Sequence, residues 1–145
     1  MSKKNIYEVF DDFRKSKNKS ERIAVLRNND SFALRNVLLG TFHPNAKFAI
    51  KDIPEWKRDD DLPAGMSYNN MTQVLDKIYL FMENNPRTPA GLTDKRRTEI
   101  LLQLLESLEP KEADVFIGIL KKDQKVPYLT EALVNEAFEG LLPQS

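Results

Sequence analysis

The sequence contains no cysteine, one histidine, one tryptophan and only five glycines in 145 residues. Without cysteine there is neither a disulfide framework nor a thiolate metal site, which fits a reducing compartment. Long apolar runs are also missing, and nothing approaches the roughly 18 residues of a membrane span. The basic N-terminus, Met1-Ser2-Lys3-Lys4-Asn5, runs into Ile6-Tyr7-Glu8-Val9-Phe10, too acidic for a signal peptide. These absences point to a cytoplasmic protein that does not bind membranes. Net charge is absent too, with 22 Lys and Arg against 22 Asp and Glu. Apolar residues make up 41% and charged residues 30%, the ordinary mixture of a globular chain. The length fits one domain spanning 1–145, with enough chain to bury a core unaided.

The neutral total hides an uneven spread. Residues 1–58 carry 13 Lys and Arg against 7 Asp and Glu, a balance of +6; residues 59–145 carry 9 against 15, a balance of −6. Either the basic half offers a footprint for phosphate, or its Lys and Arg solvate the outer faces of three helices.

Helical periodicity dominates the order of residues. Ile6, Val9, Phe10 and Phe13 form the stripe of a first helix. Ser20 opens a second, carrying Ile23, Ala24 and Leu26. Asp30 or Ser31 caps a third, with Leu34, Val37 and Leu38, and Gly40 is placed to stop it. After Thr41-Phe42-His43-Pro44, a short helix is expected through Ala46, Phe48, Ala49 and Ile50. Residues 51–68 read as a long loop holding Pro54, Pro63 and Asp59-Asp60-Asp61, since proline inside a helix costs about 3 kcal/mol. A strong helix then runs from Asn70 to Asn84. Thr93 caps a long buried helix with Leu101 and Leu104, and Pro110 starts another with Phe116 and Leu120. No alternating strand pattern survives. The expectation is an all-α, compact bundle of seven or eight helices with helix-turn-helix hairpins. Its expected core is Phe10, Leu38, Leu75, Ile78, Leu101, Leu104, Phe116, Leu120, Leu133 and Phe138.

No catalytic constellation stands out. His43 sits alone in a turn before proline and reads as structural or surface. Asp59-Asp60-Asp61 lacks the spaced ligands and central glycine of a calcium loop. There is no GxxxxGK[ST] motif and no serine nucleophile motif. The chain is expected to be non-enzymatic, with no cofactor and no metal.

The last third, Glu112 to Pro143, is the most specific stretch. A helix ends at Lys121-Lys122-Asp123-Gln124, a turn follows through Lys125-Val126-Pro127, and a second helix leaves by Phe138-Glu139-Gly140-Leu141-Leu142-Pro143. This resembles the end of the N-terminal DNA-binding domain of ATP-dependent DNA ligases, above all the T-even-type phage enzymes. Looser likeness covers Ser20 to Pro54 and Gly65-Met66-Ser67-Tyr68 to Met82. Val37 to Pro44 echoes Ile119 to Pro127, as the internal pseudo-symmetry of those domains implies.

The resemblance implies a phage-encoded, non-catalytic protein in the host cell cytoplasm. Its ligand would be duplex or nicked DNA, held by the backbone without strong sequence preference. The residues it nominates are Lys121, Lys122, Gln124, Lys125 and Thr130 in one hairpin, and Thr41, His43, Asn45 and Lys47 in the other. The lysine that ligases adenylylate stands in Lys-x-Asp-Gly, whereas Lys121-Lys122-Asp123 is followed by Gln124. The final helix departs from the family by carrying Glu131, Glu136 and Glu139, and Pro127 removes an N–H donor. The alternative is a protein-interaction adaptor of the same fold, docked on replication or transcription machinery. A third reading makes the chain a piece of a longer ligase.

Overall fold

Ile6, Val9, Phe10 and Phe13 are all buried on one side of α1 (Ile6–Lys15), as their spacing dictates. The computed structural model describes residues 4–50, 52–58 and 67–143. Six further α-helices follow: α2 (Lys19–Asn28), α3 (Phe32–Phe42), α4 (Met71–Leu75), α5 (Asp94–Ser107), α6 (Pro110–Lys121) and α7 (Glu131–Ala137). No strand or sheet forms among the described residues, and the protein is an all-α bundle. Of the loop expected over 51–68, Lys51 and residues 59–66, with Asp59-Asp60-Asp61 and Pro63, lie outside the described residues.

Side-chain caps fix where most helices begin, because each satisfies an orphan backbone donor of the first turn. Leu34 N–H donates to Ser31 Oγ at 3.0 Å and Arg96 N–H to Thr93 Oγ1 at 3.1 Å. Pro110 occupies the first turn of α6. The second helix is capped by Asn18, through Glu21 N–H at 2.9 Å, and starts before Ser20. Its Ala24, expected on the apolar stripe, is exposed.

The centre of the bundle is α6, which packs against α1, α3 and α5; α2 bridges α1 and α7. Of the expected core, all but Ile78 are buried, and Ile78 is half-buried. Phe116 of α6 meets Phe81 edge-on, with ring centroids 6.0 Å apart at 81°.

Three expectations are corrected. The helix expected from Asn70 to Asn84 breaks into α4, a turn, and a 3-10 segment Ile78–Phe81. Its carbonyls are diverted: Thr88 Oγ1 donates to Tyr79 O at 2.8 Å, Arg97 Nε to Leu80 O at 2.9 Å, and Ala49 N–H to Phe81 O at 2.7 Å. The helix expected through Ala46 to Ile50 is instead extended. Phe48 pairs with Met82 in an isolated antiparallel bridge, and Glu83 N–H donates to Lys47 O at 2.8 Å.

Gly40 does not stop α3, which runs on to Phe42. Its role is close approach: a Cβ there would lie 2.6 Å from Cγ2 of Ile119 on α6. Ile119 is fully buried and β-branched, so it has little freedom to yield. Gly40→Ala is expected to cost about 1–2 kcal/mol by overpacking, read as a lower urea midpoint at unchanged slope. An unchanged midpoint would show that the α3–α6 contact has slack.

Candidate nucleic-acid interface

The C-terminal ends of α3 and α6 lie against each other, so the two proline turns that follow them emerge together. A single side chain ties them. Lys122 ends α6 in the left-handed region at φ 56°, a place usually taken by glycine. From there its ammonium donates to Gly40 O at 3.2 Å, His43 O at 2.7 Å and Ala46 O at 2.7 Å. These are carbonyls at and beyond the end of α3, the negative end of its dipole, where a cation is favoured. Burial pulls the Lys122 pKa below its ordinary value, and Glu131 opposes that shift.

A second tie runs through Gln124. Its Nε2 donates to Val115 O at 2.9 Å and to Thr41 Oγ1 at 3.1 Å. Thr41 Oγ1 in turn donates to Val37 O at 2.8 Å and is buried. Gly118 makes room for this side chain, since any Cβ there would meet Gln124 Oε1 at 2.4 Å. Gly118 and Ile119 also have their carbonyls satisfied, by Asp123 N–H at 2.9 Å and Lys122 N–H at 3.0 Å.

Three of the nominated residues make their hydrogen bonds inward. Thr41, Lys122 and Gln124 clasp the two hairpins to each other, and their polar atoms are engaged inside the protein. The others fall nearer the surface. Lys47 and Lys121 are exposed and line one cleft of about 480 Å³, with Phe48, Leu120, Lys122 and Glu83. Lys125 is exposed at φ 55°, with its N–H on Asp123 Oδ1 at 2.9 Å. Neither Lys47, Lys121 nor Lys125 has an ion pair among the described residues. Half-buried His43 accepts from Asn45 N–H through Nδ1 at 3.0 Å, and Asn45 is exposed. Thr130 caps α7, accepting from Leu133 N–H at 3.2 Å.

The basic and acidic halves of the sequence meet in space. Lys19 pairs with Glu136 at 2.7 Å, and Arg58 with Asp114 at 2.6 Å. Arg27 holds the carbonyls of Glu136 and Ala137, at 2.8 and 3.0 Å, at the end of α7. Part of the +6 surplus is thus matched internally, and part of the acidity of α7 with it. A cation that the sequence did not single out makes a contact of another kind: Arg22 of α2 stacks on the Tyr128 ring, 3.9 Å from its centroid. Tyr128 is 66% exposed and has φ 70°, a strained value for a bulky residue. The local sequence holds no signal of this pair, which depends on how α2 packs beside the 122–128 turn.

Among the described residues no cluster of His, Asp and Glu is arranged to hold a metal ion. No helix among them is long and apolar enough to cross a membrane.

The fold and site define a helical bundle whose two proline turns are clasped by a half-buried lysine and present further lysines outward. The chain belongs to a family of unknown function, DUF6433, whose sequence model matches residues 9–127. That match contains both clasped turns. No curated protein matches the chain.

Proposed function

We propose that this is a non-catalytic, phage-type DNA-binding protein that holds duplex or nicked DNA by its phosphates, in the manner of a ligase DNA-binding domain. The observation that carries this reading is the cleft shared by Lys47, just past the first proline turn, and Lys121, at the end of α6 just before the second, with Lys125 nearby in sequence. Two cations held on one rigid frame can follow a phosphate backbone without reading bases. Lys122 serves the reading indirectly, by neutralising helix carbonyls that would otherwise repel phosphate at this end.

The test is the salt dependence of binding. Lys47→Ala and Lys121→Ala should each weaken all duplex sequences alike and reduce the slope of log K against log salt by about one. Fluorescence anisotropy on several unrelated duplexes reads both quantities. Slopes unchanged in both variants would remove the cleft from the interface.

A second reading, a protein-docking adaptor on replication or transcription machinery, is favoured by a different observation. Phe32, at the first position of α3, is 62% exposed at the mouth of an apolar groove.

A further inference from the structure

Next to the lysine cleft lies a groove of about 420 Å³ walled by Phe32, Leu39, Phe48, Leu75, Ile78 and Met82. It exists because the expected second helix of the N-terminal hairpin is absent. The 46–50 segment is drawn out into the bridge with Met82, and a 3-10 segment, Ile78–Phe81, follows α4. A volume of this size is within the roughly 300–1,000 Å³ of pockets that hold ligands or anchoring side chains. Phe32 leaves most of its ring in solvent at the mouth, the kind of exposed apolar patch that marks a partner site.

Charge decides what kind of partner. Phe48 belongs to both the groove and the cleft beside it, so the apolar floor runs directly into the surface of Lys47 and Lys121. Those two cations face a single carboxylate there, Glu83, because the Lys122 ammonium is already held by three carbonyls. At the junction His43 and Asn45 line the groove. With Nδ1 of His43 accepting from Asn45 N–H, the neutral ring carries its proton on Nε2, which is a donor. The Asn45 side-chain amide makes no hydrogen bond among the described residues. Donors and cations thus cluster at one end of an apolar trough.

We infer that this groove docks a segment of a partner protein that places a large apolar side chain between Phe32 and Ile78 and carboxylates over Asn45, Lys47 and Lys121. This rests on the docking reading and names the chemistry of its partner; the phosphate-binding reading calls on the same two lysines, so DNA and this segment would compete for them. The apolar anchor supplies most of the affinity, and the acidic residues set orientation and encounter rate.

The experiment selects short peptides from a random display library on the intact protein, then maps the enriched ones by methyl NMR. The expected result is peptides pairing a large apolar residue with Asp or Glu, shifting the methyls of Leu39, Ile78 and Met82. Phe32→Ser should weaken them about tenfold or more, as truncating an anchor does. Lys47→Glu should weaken them severalfold, with reduced salt dependence. Phe32 is mostly exposed, so its variant should keep the helical spectrum of the wild type. Enriched peptides that lack acidic residues, or that shift α2 and α7 instead, overturn the groove assignment and leave the docking reading standing. No enriched peptide at all overturns both. Shifts at these methyls on raising protein concentration alone would give the groove to a second copy of the chain, and shifts on adding duplex DNA would give it to the nucleic acid; either overturns the proposal.

Discussion

Lys122→Met should lower the free energy of unfolding by about 2–4 kcal/mol, since hydrogen bonds to a charged group contribute about 1.5–3 kcal/mol each and their loss leaves acceptors unpaired. The substitution keeps the length and apolar stem of the side chain and removes only the ammonium. The carbonyls of Gly40, His43 and Ala46 then lose their shared donor. The lower end of the range reflects their partial access to water. A companion variant separates the backbone from the side chain. Lys122→Gly loses the same donor but relieves the left-handed φ of 56°, so it should be about 1 kcal/mol less damaging than methionine. Urea unfolding of both gives the comparison directly. If Lys122→Met is neutral, the desolvation cost of the ammonium cancels what it gains, and the two turns are held together by Gln124 and the α3–α6 packing alone.

The second large effect is a dependence on pH that passes through Glu112. This residue of α6 is 4% exposed and accepts Tyr7 N–H at 2.7 Å, taking up an orphan donor at the start of α1. Burial pushes its pKa up from 4.5 to about 7; backbone donors from Tyr7 and Ile6 pull it down, and Glu109 and Glu8 push it further up. A carboxyl whose pKa is higher in the folded than in the unfolded state adds stability that is full below the unfolded value. That stability is lost as pH rises through the folded value. The window is therefore pH 4.5 to about 7, and the loss across it is about 3 kcal/mol at 1.36 kcal/mol per unit. Glu112→Gln should remove that loss, so the stability of the wild type relative to the variant should fall across the window and level off above it. Thermal or urea unfolding at several pH values reads this difference. Parallel profiles for the two proteins would contradict it and would place the carboxylate in a better-solvated setting than its burial implies.

The helices with long apolar repeats were legible from sequence because their own side chains decide them. Leu101 and Leu104 in α5 and Phe116 and Leu120 in α6 mark their buried faces at helical spacing, and Ser31, Thr93 and Pro110 mark where helices start. The helix expected from Asn70 to Asn84 breaks for a reason that lies elsewhere in the chain. Their carbonyls are taken by Ala49, Thr88 and Arg97, and no local pattern announces a competitor that arrives through tertiary contact. Gly40 shows the same limit: a glycine near a helix end reads as a stop, whereas here it admits Ile119. At the site, sequence identified two proline turns and the polar residues around them. It could not separate Lys122, which turns inward at φ 56°, from Lys121 next to it, which faces solvent. Nor could charge counting reveal that Lys19, Arg27 and Arg58 answer acidic residues and helix carbonyls of the other half.

The most direct measurement is a titration of a labelled nicked duplex with the intact protein at about 50 and about 200 mM salt, a span over which release of counterions is readily resolved. The protein carries no net charge, so binding at the lower salt should be micromolar or weaker, as sequence-independent contacts usually are. It should fall at the higher salt with a shallow slope, corresponding to no more than about four phosphates neutralised. Absence of detectable binding at the lower salt would contradict the proposal that the clasped turns hold DNA.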